Sequence, residues 1–357
     1  MVLRFELLEG IGFGPFFRCQ LSLDEMDTGR VGRVVTLDRR RVTLVDGECE
    51  WTASVPGRLM EQPPEERPTV GDWLVLDSTG DRVQRVLERK SVFKRMSAGL
   101  KVDIQLIASN VDTLLIVASC NADFNPSRLE RYLALALDAG TTPVIVLTKA
   151  DQTEDPESYR NQAQRLRRDV AVEVVNALDP ATLGGVRAWC TRGQTLALVG
   201  SSGVGKSTLA NALAGVEVAA TRAIRESDER GRHTTTHRAL HFLPGGAAIV
   251  DSPGMRVLKL ADAEVGLGEV FDDVEGLAAR CRFVDCEHDT EPGCAVREAL
   301  ADGTLDERRF ANYQKLQREQ RYARETIAER NARHRKFSKM VKARMKQMPK
   351  PRERGPN

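Results

Sequence analysis

Residues 200–208 read GSSGVGKST and fit the spacing G-x-x-x-x-G-K-[S/T]. A strand-like run, TLALV, precedes them and a helical pattern follows, which is the setting a phosphate-binding loop needs. Gly200, Gly203 and Gly205 let backbone N–H groups curl around phosphate oxygens, with Ser201, Ser202 and Val204 between them. Lys206 brings a positive charge to the β- and γ-phosphates of a nucleotide. Ser207 offers its hydroxyl to Mg²⁺, and Thr208 follows in the first helical turn. Downstream, AAIVDSPG (247–254) reads as a strand ending in Asp251 and then Gly254. That Asp can hold Mg²⁺ through water, and the Gly254 N–H can meet a γ-phosphate. D-x-P-G is also a good plain turn. Its place after a phosphate loop selects the functional reading.

The stretch VLTKAD (146–151) addresses the base. Guanine presents N1–H and an exocyclic amine, a donor pair that one carboxylate, Asp151, accepts together. Lys149 can lie against the base plane, with Ala150 between the two. Thr148 stands where the usual motif has Asn, which puts one tethering hydrogen bond in question. The stretch NAL (176–178) sits where such sites carry Ser-Ala. The Ala177 N–H is placed for guanine O6, and Asn176 replaces the Ser. The base motif therefore precedes the phosphate loop, a circular permutation of the usual GTPase order. Permutation is tolerated because domain termini often lie close together at the surface. Ordinary GTPases place Gln directly after DxxG to orient the attacking water, but Met255 occupies that position here. Intrinsic hydrolysis should be slow and another group must assist. His233, in GRHTTTHR (231–238), is the local candidate for catalysis beside Lys206. Packing or partner binding is its alternative role. Thr234 or Thr235 supplies the switch hydroxyl to Mg²⁺ and γ-phosphate.

Cys281, Cys286, His288 and Cys294 form C-x4-C-x-H-x5-C. Three thiolates and one imidazole suit tetrahedral Zn²⁺, and four protein ligands leave no open position, so the site should be structural. The surrounding Asp285, Glu287, Asp289 and Glu291 leave little apolar surface to bury. Metal would supply most of the folding energy of such a segment, on the order of 10 kcal/mol.

The elements that must position these groups are legible as texture. Between Gly29 and Arg89 five short β-type runs alternate with turn residues, as in a small oligonucleotide-binding barrel. From TLLIVAS (113–119) onward the strand-like runs are continuously apolar: PVIVLTKA, AVEVVN, TLALVG and AAIVD. Helical patterns at 127–140 and 158–170 separate several of them. Continuous runs mean burial on both faces, hence a mostly parallel α/β sheet. After about Leu260 the pattern turns to the cysteine cluster and long polar helix, with Thr304 and Glu307 as a capping box. Residues 1–28 carry no clear signal.

The chain has 357 residues, 41% hydrophobic and 29% charged, ordinary for a soluble protein of two or three domains. No apolar run is long enough to span a membrane, and acidic residues near the N-terminus replace the apolar core of a signal peptide, so a cytoplasmic protein is expected. Net charge is only +2, yet residues 331–357 hold ten Lys or Arg against one acid, a candidate footprint for nucleic acid.

Together GSSGVGKST, GRHTTTHR, DSPG, TKAD, NPSRLERYLALA (125–136) and the metal cluster resemble the circularly permuted, ribosome small-subunit-dependent GTPases of bacteria. The resemblance covers about residues 29–330. It implies a segment at 1–104 holding an OB-type barrel at about 29–90, a permuted P-loop GTPase domain at 105–262, and a zinc-binding, mainly helical domain with a basic tail at 263–357. It further implies GTP and GDP as ligands, Mg²⁺ held by Ser207 and Thr235 with the nucleotide, and the small (30S) subunit with its 16S rRNA as partner. The subunit would stimulate hydrolysis and hydrolysis would release a monomeric protein late in subunit maturation. Because the DxxG segment leads straight into the metal domain, nucleotide state can move that domain directly. Two rival readings use the same residues. One is a non-ribosomal RNA-binding GTP switch. The other is a P-loop ATPase coupled to nucleic-acid remodelling, against which TKAD argues.

Overall fold

The computed structural model describes residues 3–96, 104–215, 239–251 and 264–321. Five strands follow the N-terminal segment: β1 (Arg30–Asp38), β2 (Arg41–Val45), β3 (Glu50–Ser54), β4 (Trp73–Leu76) and β5 (Val83–Val86). They fall on the five runs expected from the sequence. β2 pairs with β1 and β3, and β4 pairs with β1 and β5, all antiparallel. A bridge between Ser54 and Arg82 brings the end of β3 to the start of β5 and closes the ring. Val34, Val42, Leu44, Leu74, Leu76 and Val83 fill its interior.

Residues 3–28, silent as sequence, form three short helices (Phe5–Gly10, Pro15–Arg18, Leu23–Thr28). Their apolar side chains are too widely scattered to show a period. They gain meaning only against the outside of the ring, where Leu8, Phe13, Phe17 and Leu21 pack on Val31, Trp73, Val75 and Leu87. The Phe13 ring meets Trp73 edge-on at 4.8 Å between centroids. Ser22 and Glu25 form a capping box on the third helix, and Glu25 also pairs with Arg85 of β5 at 2.8 Å.

A two-stranded antiparallel pair, β6 (Val92–Met96) and β7 (Ile104–Ser109), leads into the second body of the chain. There β8 (Thr113–Ser119), β9 (Thr142–Thr148), β10 (Ala171–Val174), β11 (Thr195–Val199), β12 (Ala239–Phe242) and β13 (Ala248–Asp251) complete the strands. The order β10-β9-β8-β11-β13 is parallel throughout, and β12 adds antiparallel to the edge of β13. This is the mixed α/β sheet expected from the continuous apolar runs. All seven residues of β8 are buried. Alternate residues serve opposite faces: Leu114 and Ile116 face one core, Leu115 and Val117 the other. β12 also pairs with β1 through Thr36 and Ala239, so the ring and the parallel sheet share hydrogen-bonded edges.

Two buried ions fasten the bodies to one another. Arg33 of β1 is fully buried and donates to the Ile11 carbonyl at 2.6 Å, the Asn110 carbonyl at 3.2 Å and the Thr195 hydroxyl at 2.6 Å. Burial lowers its guanidinium to about 10, against the opposing charges of Asp112 and Asp72, so it stays charged at neutral pH. The other ion is Glu130, on the helix Pro126–Asp138. Its carboxylate is wholly buried and accepts from Arg308 at 3.0 Å, Arg309 at 3.0 Å and Asn312 at 2.6 Å. Arg309 continues to Asp273 at 2.7 Å. Arg308, Arg309 and Asn312 lie on a helix that begins at 307 and Asp273 on the helix Asp272–Ala278; Glu264–Val270 and Ala295–Ala301 are the other C-terminal helices among the described residues. The last helix is capped by Asp306, whose carboxylate accepts the Arg309 N–H at 2.7 Å. The expected Thr304–Glu307 box does not form, because the Thr304 N–H is engaged by Asp302 at 2.8 Å in the preceding turn. The basic stretch 331–357 lies outside the described residues.

Removing the Glu130 carboxylate takes the shared acceptor from half-exposed Arg308, from buried Asn312 and from Arg309, which is left with Asp273. Glu130→Ala is expected to cost about 3–5 kcal/mol of stability, measured by urea denaturation followed by far-ultraviolet circular dichroism.

Candidate functional site

The phosphate loop runs from the end of β11 to the helix Lys206–Ala214. Gly200 adopts a φ of 142°, and a Cβ there would stand 2.1 Å from the Val117 carbonyl oxygen of β8. Only glycine fits that approach. Gly205, at φ 95°, occupies the N-cap and turns the chain into the helix, whose N-terminal amides face the loop. Lys206 folds over the loop, donating from Nζ to the Gly200 carbonyl at 2.8 Å and also to the Ser201 carbonyl. Both are backbone acceptors that phosphate oxygens can replace. Asp251 ends β13, which runs parallel beside β11, so its backbone stands at the same sheet edge as the loop. His233, Thr234, Thr235, Gly254 and Met255 lie outside the described residues.

The base motif is joined to the loop by one side chain. Thr148, 1% exposed, ends β9 with its hydroxyl 2.5 Å from the Val204 carbonyl oxygen and 3.1 Å from that of Ala118. The departure from Asn therefore keeps a tether: the shorter threonine reaches the loop because β9, β8 and β11 are adjacent. Lys149 follows in a left-handed conformation, φ 57° and ψ 38°, which throws the chain into the single 3₁₀ turn Ala150–Gln152. Asp151 stands on that turn and is exposed, not buried like the strand before it. The Ala150 N–H donates to the Val175 carbonyl at 3.3 Å, which brings the NAL loop alongside. There Asn176 accepts the Leu178 N–H on Oδ1 at 3.0 Å, and its carbonyl accepts the Thr182 hydroxyl at 2.9 Å. Asn in place of Ser thus builds its own turn around Ala177. Phosphate loop, TKAD and NAL stand together at the C-terminal ends of parallel strands, the position where open α/β sheets bind ligands.

One contact was not evident from residue types alone. Arg128, in the first turn of the helix Pro126–Asp138, donates from Nη1 to Ser201 Oγ in the phosphate loop. The available signal was a cation three residues past the N-cap Asn125, where a helix ordinarily prefers an acid.

The second site lies in the C-terminal body. The ligand atoms of Cys281, Cys286, His288 and Cys294 all lie within 4.8 Å of one another. His288 Nδ1 stands 3.6 Å from Cys281 Sγ and 3.4 Å from Cys294 Sγ. A left-handed φ of 63° at His288 turns the ring inward. Glu291 braces the loop by accepting the N–H groups of Glu287, Asp289 and Thr290 at 2.9–3.0 Å. Burial pushes the Cys281 thiol up, but hydrogen bonds from the Val296 and Ala295 N–H groups and with Cys294 and Cys286 together set it below its ordinary value. Three thiols and one imidazole that converge in this way could hold one metal ion.

Comparison with known proteins identifies this arrangement. A family model described as RsgA GTPase matches residues 86–261. A Vibrio parahaemolyticus protein named small ribosomal subunit biogenesis GTPase RsgA 2 is 48% identical over 335 residues, 94% of this chain and 92% of that one. The chain belongs to the RsgA GTPase family. A Mesorhizobium japonicum small ribosomal subunit biogenesis GTPase RsgA is 46% identical over 318 residues, covering 88% of this chain and 90% of its own. Among solved structures, YjeQ from Thermotoga maritima superposes with a TM-score of 0.60 at 25% identity, covering 81% of this chain and 97% of its own. YloQ, described as a circularly permuted GTPase, gives 0.57 at 25% identity over 82% and 94%. The reversed order of base motif and phosphate loop is therefore that of a permuted GTPase. Among the described residues, no helix is long and apolar enough to cross a membrane.

Thr148→Val keeps the volume and removes the tether, leaving the buried Val204 carbonyl oxygen without the hydroxyl hydrogen that it accepts. The expected cost is about 1–3 kcal/mol of stability. GTP affinity should fall about tenfold as the loop loosens, read by titration with a fluorescent guanine nucleotide.

Proposed function

We infer that the chain is a GTP hydrolase acting in biogenesis of the small ribosomal subunit. The observation that carries the reading is the Thr148 tether, which sets a guanine-type motif and a phosphate loop in one fixed relation within a permuted sheet. The names of its relatives, small ribosomal subunit biogenesis GTPases, point to the subunit. Asp151 accepts the guanine donor pair, Lys149 and Ala150 line the base, and the Asn176–Ala177 turn meets O6. The loop 200–208 wraps the phosphates, and Lys206 neutralises charge between β and γ. Mg²⁺, when bound with GTP, adds positive charge at the β- and γ-oxygens, and Ser207, Asp251 and Thr234 or Thr235 are its candidate holders. His233 positions or deprotonates the attacking water that Met255 cannot orient. The exposure of Asp151 means that guanine recognition gains its full strength only when the bound base excludes water from the carboxylate.

The ring of β1–β5 is read as an OB-type barrel within a unit at 1–104. The GTPase unit spans 105–262, and 263–357 forms a zinc-binding helical unit with a basic tail. Cys281, Cys286, His288 and Cys294 hold one Zn²⁺ in a closed, structural site. The barrel and the tail contact 16S rRNA, the protein works as a monomer in the cytoplasm, and the GTP form binds the subunit while hydrolysis releases it.

Two measurements test this. Co-sedimentation with purified small subunits should be strong in a non-hydrolysable GTP analogue and weak in GDP, with turnover rising by up to about 10⁵ in their presence. Binding should weaken with salt by about 0.7–0.9 log units per log unit for each phosphate contacted, and a chain lacking residues 331–357 should show a smaller slope. Equal binding in both nucleotides with no stimulation would leave a non-ribosomal RNA-binding switch as the better reading. For the metal, elemental analysis should find about one zinc per chain. Cys286→Ser should lose that zinc and retain GTP binding, because the two sites are built on separate elements.

A further inference from the structure

The helix Pro126–Asp138 begins at Asn125, whose Oδ1 accepts the Arg128 N–H at 3.0 Å. That cap fixes Arg128 as the third helical residue and aims its side chain at the phosphate loop. The guanidinium donates to Ser201 Oγ, while Lys206 donates to the Ser201 carbonyl. Two cations from separate elements therefore meet on one residue of the loop. Arg128 also lies 3.2 Å from the carboxylate of Asp123, with side chains 37% and 43% exposed. An ion pair this exposed is weak and exchanges readily for a stronger anion. The position is also unfavourable for a cation, because the helix dipole presents its positive end there. A residue kept against its local preference marks a functional demand. The sequence states that demand, since no glutamine follows DSPG to complete the hydrolytic site.

We propose that Arg128 is a catalytic residue of this chain, an arginine supplied in cis to the phosphates of GTP. The inference rests on the GTPase reading of the site. When GTP occupies the loop, the guanidinium exchanges Asp123 for phosphate oxygens while Ser201 keeps its arm in place. In hydrolysis the water oxygen bonds to Pγ, and the bond from Pγ to the β–γ bridging oxygen breaks with its electron pair staying on GDP. One proton of the water stays on its oxygen, and the other, whether or not His233 carries it first, ends on the released phosphate. Arg128 donates hydrogen bonds to the charge that gathers on the bridging and γ-oxygens and is itself unchanged. Its planar fork serves two oxygens at once, which a lysine cannot do.

The test is single-turnover hydrolysis of GTP bound to the full-length protein, with GTP and GDP affinities measured in parallel. Arg128→Gln keeps a donor for Ser201 and removes the charge. It should slow hydrolysis by at least about 10²-fold, the value of one transition-state donor. GDP affinity should change by no more than about fivefold, the value of an exposed ion pair. Binding of GDP with aluminium fluoride, which mimics the transferring phosphoryl group, should weaken in step with the rate. Arg128→Lys should recover part of both, and it keeps the proposal testable if the glutamine variant fails to fold. Ser201→Ala should cost less than Arg128→Gln, because it removes the support and leaves the charge. Two results overturn the proposal. One is hydrolysis of bound GTP in Arg128→Gln at the wild-type rate. The other is a loss of GDP affinity as large as the loss of rate, which would make Arg128 a structural clamp. A wild-type protein that neither binds nor hydrolyses GTP would instead remove the underlying reading.

Discussion

The hydroxyl of Thr148 lies 2.5 Å from the Val204 carbonyl oxygen and 3.1 Å from that of Ala118, out of contact with water. Three chain segments share this point: the end of β8, the end of β9 and the phosphate loop. An unmet buried carbonyl would cost more than the hydrogen bond contributes, so the arrangement is held by what its loss would expose. The guanine-type motif and the phosphate-loop motif are thereby placed in one frame although the permuted chain encodes them in reversed order. Parallel pairing of β9, β8 and β11 supplies the frame's rigidity, since both faces of each strand are buried and a register slip would move polar residues into the core.

The same logic, on a larger scale, attaches the other bodies to the site. Arg33 reaches from the ring of β1–β5 to the first residue of the phosphate-loop strand, Thr195. Glu130 gathers Arg308, Arg309 and Asn312 onto the helix whose first turn touches Ser201. Each is a buried charge whose hydrogen bonds come from a different part of the chain. Such groups tolerate few alternative arrangements, because a partly satisfied buried ion is worse than none. The phosphate loop is therefore linked by two short routes of contact, through β11 to the ring and through helix 126–138 to the C-terminal helices. The second adds to the covalent route expected from DxxG into the metal-binding unit.

The cysteine–histidine cluster stands where the chain supplies little core. Between Cys281 and Cys294 only Cys294 is buried, while Phe283 and Val284 are exposed. Convergent thiols, the braced turn at Glu291 and the left-handed His288 replace apolar packing as the source of shape. Helix Ala295–Ala301, which starts directly after the last cysteine, carries that shape into the core through Val296 and Ala299.

Much of this protein was written in short-range sequence. The phosphate loop, TKAD, NAL and the cysteine–histidine spacing are backbone or ligand motifs whose meaning lies within a dozen residues. The five strands of the ring and the buried strands of the sheet are periodicities of a few residues. Both kinds of signal survive without knowledge of the fold because neighbours along the chain determine them. Tertiary structure decided the rest. The helices of residues 3–28 needed the face of Trp73 to pack against. The last helix took its cap from Asp306 because Thr304 was already committed to the turn before it. Thr148 proved to be a tether, Glu130 an anchor and Arg128 a visitor to the phosphate loop because strands and helices far apart in sequence were brought side by side. A side chain's partner across such a distance is set by sheet order and helix direction, and no local pattern of residue types encodes it.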